Sequence, residues 1–329
     1  MMWYSQTGAE SDVVLSTRIR LARNIREYPF PVRLDRETKK QICETVRDIL
    51  DGEGVKLSYI PVSTLTAAQA VSLAERNLVS ADFISKSDGA LLLNGDESMS
   101  VMLCEEDHIR LQVIKPGLDL EGAYAEADET DNILEKHLNY AFDERLGYLT
   151  QCPTNLGTGM RASVMLHLPA LAAAGNMTRL AATVAKLGIT LRSANADGAG
   201  DIYQLSNQVT LGISETAATE NLKSIVLQIA SQERQARKSL VKDEKTIDRI
   251  YRSFGILKSA YLMTSAEYTK LYSAVRLGIC EGLIDADINK LNELYMTTQP
   301  ATVNAANGGE LNAAQRDAVR AKTVRDALG

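Results

Sequence analysis

The stretch CPTNLGTGMRASVMLHL, residues 152–168, is a loop joined end to end with a strand. Its first part belongs to a loop over residues 151–159, where Gly157 and Gly159 permit positive φ and close backbone approach and where Thr and Asn offer neutral hydrogen bonds. No Gly-Lys-Ser/Thr follows, so this is not a Walker-type phosphate loop, and the glycine spacing is not that of a dinucleotide fingerprint. The second part alternates. Ala162, Val164, Leu166 and Leu168 face one way and Arg161 the other, the pattern of a half-buried strand with an apolar back.

Downstream, the pattern predicts a helix over 170–187, a strand over 189–192, strands over 202–206 and 208–211, and a long helix from 215 to about 242 with Leu222, Ile225, Val226 and Ile229 on one side. Upstream, residues 13–21 alternate, with Val13, Leu15, Ile19 and Leu21 opposite Ser16, Arg18 and Arg20. A helix over 35–50 follows, and Thr66 with Gln69 forms a capping box that opens another through residue 78. Residues 90–93, 99–104 and 109–114 read as an antiparallel meander with an Asn94-Gly95 turn, and a helix runs over 120–146. Beyond 242 strand patterns cease; 245–295 and 312–328 are helical, with a loop over 298–309 between them. The expected class is α/β (α+β): a large, mainly antiparallel sheet flanked by helices over 1–242, then a small all-helical C-terminal domain over 243–329.

A 45% hydrophobic and 24% charged composition is that of a globular protein, and the net charge of −6 provides no general attraction to nucleic acid or anionic membrane. No apolar run is long enough to span a bilayer, and residues 1–12 lack the apolar stretch of a signal peptide. The four cysteines, Cys43, Cys104, Cys152 and Cys280, show no metal-ligand spacing, so neither a protein metal site nor a disulfide scaffold is expected. A cytoplasmic location follows as the expectation.

Arg18, Arg20, Arg110, Arg161 and Arg192 all fall on polar strand faces. Converging on one surface, they would repel one another unless something strongly anionic sat among them; a nucleotide triphosphate with Mg²⁺ fits, because guanidinium groups grip phosphate oxygens bidentately and keep their charge. Alternation fixes faces and not convergence, and surface arginines paired with some of the 42 acidic residues give the same pattern. The run Glu105-Glu106-Asp107-His108 lies at a turn between two strands, where carboxylates can hold a guanidinium beside a phosphate or simply be solvated.

Residues 152–168 closely resemble the signature of the ATP:guanidino phosphotransferases, the family of creatine and arginine kinases. VLSTRIRLARN (14–24), EEDHIR (105–110) and IYQLSN (202–207) resemble further family blocks in the same order. The resemblance implies a catalytic domain with a large antiparallel sheet, and ATP and Mg²⁺ as cofactors. It implies that Arg18, Arg20, Arg110, Arg161 and Arg192 bind the nucleotide phosphates, that Glu106 orients the acceptor guanidinium, and that Cys152 is the reactive cysteine beside it. The family's second catalytic glutamate falls on Asp197, one methylene shorter, in a shortened loop over 193–201 that contains no Glu. Cys104 stands where the family commonly has Asn.

Two features resemble the bacterial protein arginine kinases of the McsB type. The first shared block begins at Val14, so the N-terminal helical domain of creatine and arginine kinases is expected to be absent, and an open site suits an arginine presented on a protein. The segment Arg316-Asp317-Ala318-Val319-Arg320-Ala321 is similar to the RDxxRA motif that binds phosphoarginine, a ligand that needs cation and carboxylate together. The resemblance then implies protein substrates bearing exposed arginine that are marked for regulated degradation, a homodimer, and as partners an AAA+ unfoldase–protease, a zinc-binding activator and a heat-shock repressor. A small-molecule guanidino kinase and a non-catalytic phosphoarginine-binding adaptor, the latter suggested by Asp197, are the alternatives.

Overall fold

A computed structural model describes residues 1–329 except residue 87 and residues 196–198. Its frame is an eight-stranded sheet in the order β2-β3-β4-β5-β1-β8-β10-β9, antiparallel at every pairing. The strands are β1 (Val14–Arg23), β2 (Ser58–Pro61), β3 (Ala90–Leu93), β4 (Met99–Leu103), β5 (Ile109–Pro116), β8 (Met160–His167), β9 (Ile189–Ser193) and β10 (Ile202–Asn207); β6 (Phe142–Asp143) and β7 (Gly147–Tyr148) make a separate short hairpin. The expected class therefore holds.

One sheet face is apolar because the alternation makes it so. Ile19 and Leu21 of β1, Leu111 and Val113 of β5, and Ala162, Val164 and Leu166 of β8 share a buried core with α1 (Arg36–Gly52), α4 (Leu120–His137) and α7 (Glu215–Leu240). Truncating one such Leu to Ala costs about 2–5 kcal/mol. The short helices α5 (Pro169–Ala173) and α6 (Met177–Ala185) add Leu171 and Val184 to that core, whereas α2 (Ala67–Glu75) and α3 (Ala81–Ile84) pack Leu73 and Phe83 with Leu91 of β3 and Met102 of β4 in a separate cluster. Then α8 (Glu244–Ser259), α9 (Ser265–Cys280), α10 (Ile288–Thr297), α11 (Pro300–Ala306) and α12 (Ala313–Leu328) build a second core around Tyr268, Tyr272, Leu291 and Val324. That core takes in Ile202, Met165 and Leu15, so it rests on the far end of the polar sheet face. A register shift between Val14 and Ser16 explains Leu15, which leaves the expected alternation while Val14 enters the main core.

Several boundaries differ from the sequence expectation, some because a distant partner outcompetes local pattern and some because a residue turns to positive φ. The helix expected to 146 stops at His137, since Tyr140 is drawn into a bridge with Ile25 and gives its hydroxyl to Asp131 at 3.0 Å. The helix over 170–187 is two, broken where Gly175 takes φ 70. The helix opened by the Thr66 capping box ends at Glu75, because Asn77 takes φ 62. Residues 208–211 form no strand; Thr210 instead clamps the loop before β8, accepting the Thr158 N–H at 3.0 Å and donating its hydroxyl to the Leu156 carbonyl at 2.7 Å. Inside the expected loop 298–309 lies α11, whose first N–H groups, on Ala301 and Thr302, are capped by the Glu75 carboxylate at 2.9 and 2.8 Å.

Candidate active site

The strand register decides whether the five arginines meet. Arg20 on β1 pairs with Arg161 on β8, Arg18 with Ser163, Ala22 with Arg110 on β5, and Arg192 on β9 with Gln204 on β10. Directly paired residues of antiparallel strands share a face, so all five side chains stand on the polar side of the sheet. Like charges placed opposite each other are destabilising. Burial, followed by Arg110 and Arg161, pushes the Arg18 guanidinium down to about 10. Arg20 is depressed by burial and then by Arg18, Arg110 and Arg161, and Arg161 by burial and then by Arg192 and Arg110.

Counter-charge is scarce. Among the described residues only Arg110 of the five has an ion pair, with Glu105. Arg18 reaches two neutral oxygens, Ser163 Oγ and Gln204 Oε1, both at 3.3 Å. Arg20 keeps its Nε buried with no acceptor at all. A half-buried cationic face with an orphaned donor fits a polyanion such as a triphosphate.

The turn after β4 sorts its four polar residues. Glu105 is buried and held by the Ser80 hydroxyl and Arg110; burial alone pushes its carboxyl up, and those two partners bring it below the usual range. Asp107 accepts from Asn24 Nδ2 at 2.7 Å and from the Gln151 N–H at 2.8 Å. His108 takes the Ile25 N–H on Nδ1 at 3.0 Å, which puts its proton on Nε2, donated to the Pro29 carbonyl at 2.9 Å. Burial keeps that ring neutral. Glu106 is what remains: half-buried, its carboxylate with no hydrogen bond or ion pair among the described residues. Burial and then the Asp107 charge push its carboxyl up, against Arg110. It is the acceptor-rich group left open.

The loop before β8 is tied to this turn through Gln151 and Asp107, and Cys152 lies close enough to Arg161 to act on its charge. The Cys152 Sγ is 3.0 Å from Thr154 Oγ1. The close approaches that Gly157 and Gly159 allow are to the protein itself: a Cβ on Gly157 would meet the Thr210 carbonyl at 2.2 Å, and one on Gly159 the Arg23 guanidinium at 2.5 Å. These glycines shape the loop that presents Cys152. Asp197 lies outside the described residues, while the loop that carries it is anchored at its far end where Asp201 accepts the Ser273 hydroxyl at 2.7 Å.

On α12, Arg316, Asp317 and Arg320 do come together, but Arg320 is already employed. It is buried, donates to the carbonyls of Thr298 and Met263 at 2.8 Å each, and pairs with Asp317 at 2.7 Å. Arg316 is half-buried and donates to the Leu311 carbonyl at 2.6 Å.

Sequence reasoning missed the residues that hold the turn. Ser80, Asn24 and Gln151 are 25, 83 and 44 positions from the acidic residues they bind, and no local pattern marks them. It also missed a cavity of about 450 Å³ beyond the arginine face, with Arg18, Gln204 and Arg192 on its sheet side and Tyr272 and Tyr295 on its helical side.

Residues 37–236 match the family model of the ATP:guanido phosphotransferase C-terminal catalytic domain, and residues 243–329 match that of the protein-arginine kinase McsB C-terminal domain. Among solved structures, lombricine kinase superposes with a TM-score of 0.60 at 22% identity, covering 72% of this chain and 71% of that one. The duplicated taurocyamine kinase from Schistosoma mansoni, with bound transition state analog components, gives 0.63 at 24%, covering 82% of this chain and 40% of that one. Among curated relatives, the protein-arginine kinase of Halothermothrix orenii is 44% identical over 99% of this chain and 96% of its own, and that of Caldanaerobacter subterraneus subsp. tengcongensis 43% over 97% and 98%. The chain belongs to the ATP:guanido phosphotransferase family and, within it, to the protein-arginine kinases. No helix of the described residues is long and apolar enough to cross a membrane.

Proposed function

We propose that this chain transfers the γ-phosphoryl group of Mg·ATP to arginine side chains of other proteins. The observation that carries the reading is a cationic strand face short of counter-charge beside Glu106, the open carboxylate of its turn. A guanidinium is a poor nucleophile because its lone pairs are delocalised and its pKa lies above about 12. Glu106 would bind it bidentately, aim one nitrogen at the γ-phosphorus and take up the departing proton. Asp197 is proposed as the second carboxylate, and Cys152 as the group beside the acceptor. Arg18, Arg20, Arg110, Arg161 and Arg192 would cradle the phosphates and spread the transition-state charge, where positioning and electrostatics supply most of the catalysis. Mg²⁺ would accompany the nucleotide and add charge neutralisation at its phosphates.

The wider reading follows from family membership. Residues 1–242 would be the catalytic domain, and 243–329 the helical domain that serves dimerisation and phosphoarginine binding, with Arg316 and Asp317 meeting the ligand and Arg320 holding the site in shape. Marking for degradation, a cytoplasmic location, a homodimer, and the AAA+ unfoldase–protease, zinc-binding activator and heat-shock repressor as partners complete the proposal. Its test is transfer from Mg·ATP to an arginine-rich protein, run beside free arginine and creatine. Acid-labile phosphate mapped to protein arginine by mass spectrometry is the expected result. Transfer to free arginine alone would make the chain a small-molecule kinase, and silence on every acceptor, with phosphoarginine still bound, an adaptor.

A further inference from the structure

Cys43 and Cys104 are far apart in the sequence, yet the fold sets their thiols side by side. Cys43 lies on α1, one turn after Lys39, and Cys104 follows β4 directly. The Cys104 Sγ is 3.7 Å from the Lys39 carbonyl, the oxygen that faces the Cys43 N–H one helical turn on. From the other side, Ala90 of β3 gives its N–H to the Cys43 sulfur and pairs across the sheet with Leu103, the neighbour of Cys104. Both cysteines are free and belong to the main core, 1% and 2% exposed. The Cys104 S–H donates to the Cys43 sulfur, which holds the Cys43 thiol below its ordinary range and pushes the Cys104 thiol up. The Lys39 ammonium favours the Cys43 thiolate further. A thiolate with a protonated thiol held against it is the arrangement of an oxidisable dithiol, one sulfur attacking the oxidant and the other resolving the product.

Cys104 is also the base of the turn that carries Glu106. Its N–H closes that turn on the His108 carbonyl at 2.9 Å, and its own φ is 57. We propose that Cys43 and Cys104 form a reversible disulfide under a hydroperoxide, and that this bond slows phosphoryl transfer by drawing the Glu106 turn toward α1. The effect on rate rests on the reading of Glu106 as the carboxylate that holds the acceptor. In the first step the Cys43 thiolate attacks one peroxide oxygen, the O–O bond breaks, and the departing hydroxide takes a proton and leaves as water. Cys43 is then a sulfenic acid. The Cys104 sulfur attacks it, the S–O bond breaks, and a second water leaves with the Cys104 proton. Two thiols have given up two electrons, and the peroxide has been reduced to two waters. An S–S bond of about 2.05 Å replaces a non-bonded contact, so Cys104 moves toward α1 by on the order of 1 Å. A misplacement of that size near an in-line transfer costs up to about 10²-fold. The Asn that the family commonly has in place of Cys104 could not form the bond.

The test exposes the full chain to hydrogen peroxide and follows three quantities: the disulfide by non-reducing peptide mass spectrometry, the transfer rate, and amide hydrogen exchange over residues 104–108. Expected is a Cys43–Cys104 cross-link, a rate that falls about ten- to a hundredfold in proportion to it, and slower exchange across the tethered turn. Dithiothreitol should restore all three. Cys152 is oxidised in the same treatment, so Cys43→Ala is run beside the wild type: it shares any loss that arises at Cys152 and should lack the loss that tracks the cross-link. Should that variant fail to fold, Cys104→Asn serves the same purpose and suits the left-handed backbone. No cross-link in folded protein whose Cys152 has been oxidised would overturn the proposal. So would a cross-link that leaves the rate unchanged, or equal loss of rate in wild type and variant. Reduced protein that transfers nothing would sink the phosphoryl-transfer reading instead. In that case a cross-link with slower exchange across the turn would still sustain the dithiol switch, and unchanged exchange would sink it as well.

Discussion

Arg20 and Arg23 stand three residues apart on β1 and point to opposite faces of the same sheet. Arg23 is buried and satisfied: it pairs with Asp131 at 2.7 Å, donates to the carbonyls of Ala22 and Thr158 at 3.0 Å, and lies 3.6 Å over the Tyr148 ring. Arg20 faces Arg161 across the strand pair and leaves a buried nitrogen unpaired. The first charge is balanced by the fold. The second has no ion pair among the described residues and feels only the more distant Glu105 charge, so its direct partner must arrive from outside. Arg320 on α12 sides with Arg23, since an ion pair and two carbonyls already occupy it, whereas Arg192 on β9 is exposed and stands with Arg20. A guanidinium's role is thus read from what surrounds it, and hardly from its position in the chain.

Exchanging each arginine for glutamine separates the two kinds. Arg23→Gln strands the Asp131 carboxylate in the core and should cost about 3–5 kcal/mol of stability, measured by urea denaturation. Arg20→Gln should leave the protein folded and lower kcat by about 10²–10³, as loss of one preorganised charge donor does. Equal destabilisation by both would erase the distinction.

A polyanion offers a finer cut. Inorganic tripolyphosphate at 100 times its dissociation constant should stabilise the wild type by about 2.7 kcal/mol, read as a rise in Tm. In Arg20→Gln the same concentration should do markedly less. Without ligand, that variant should be more stable than the wild type, by about 0.2–1 kcal/mol, because a cross-strand repulsion has gone. A ligand-free Arg20→Gln below the wild type would show that Arg20 has a structural partner after all.

The same contrast explains what the sequence made legible. Alternation placed Arg18, Arg20, Arg110 and Arg161 on the polar faces of their strands, and the strand pairing brought those faces together; period-2 patterning is strong because one misplaced residue turns a whole strand inside out. What alternation could not tell was that Arg23, on the same strand, is structural, since its partner Asp131 lies 108 residues away on α4. Nor could it tell Glu106 from Glu105 and Asp107. The three are adjacent in sequence, and only Ser80, Arg110, Asn24 and Gln151 decide which carboxylates are used up. Cys104 marks the entry to that turn with φ 57, a left-handed conformation that Asn adopts far more readily, which accounts for the unusual residue having stood out in the sequence.

Glu106 brings the comparison down to a proton. Its carboxyl is raised above the ordinary 4.5 by burial and then by the Asp107 charge, so the form that can hold a guanidinium disappears on acidification at a higher pH than for an exposed glutamate. The rate of phosphoryl transfer should therefore fall along an acid limb lying above 4.5. Asp107→Asn removes the second of the two causes, and the limb should move toward lower pH while burial keeps it from returning fully. Stability runs the other way. An acid whose folded pKa is raised favours folding most below its unfolded pKa and loses that contribution as pH rises through the folded value. Glu106→Gln should thus match the wild type in stability at low pH and exceed it slightly near neutrality, where the wild type carries an ionised, half-buried carboxylate with no partner, while transfer is lost at every pH. Denaturation curves at pH 4 and pH 7 decide the point. A wild type that gained stability relative to Glu106→Gln on going to neutral pH would mean that Glu106 has found a cationic partner within the fold, and it would then belong with Arg23 rather than with Arg20.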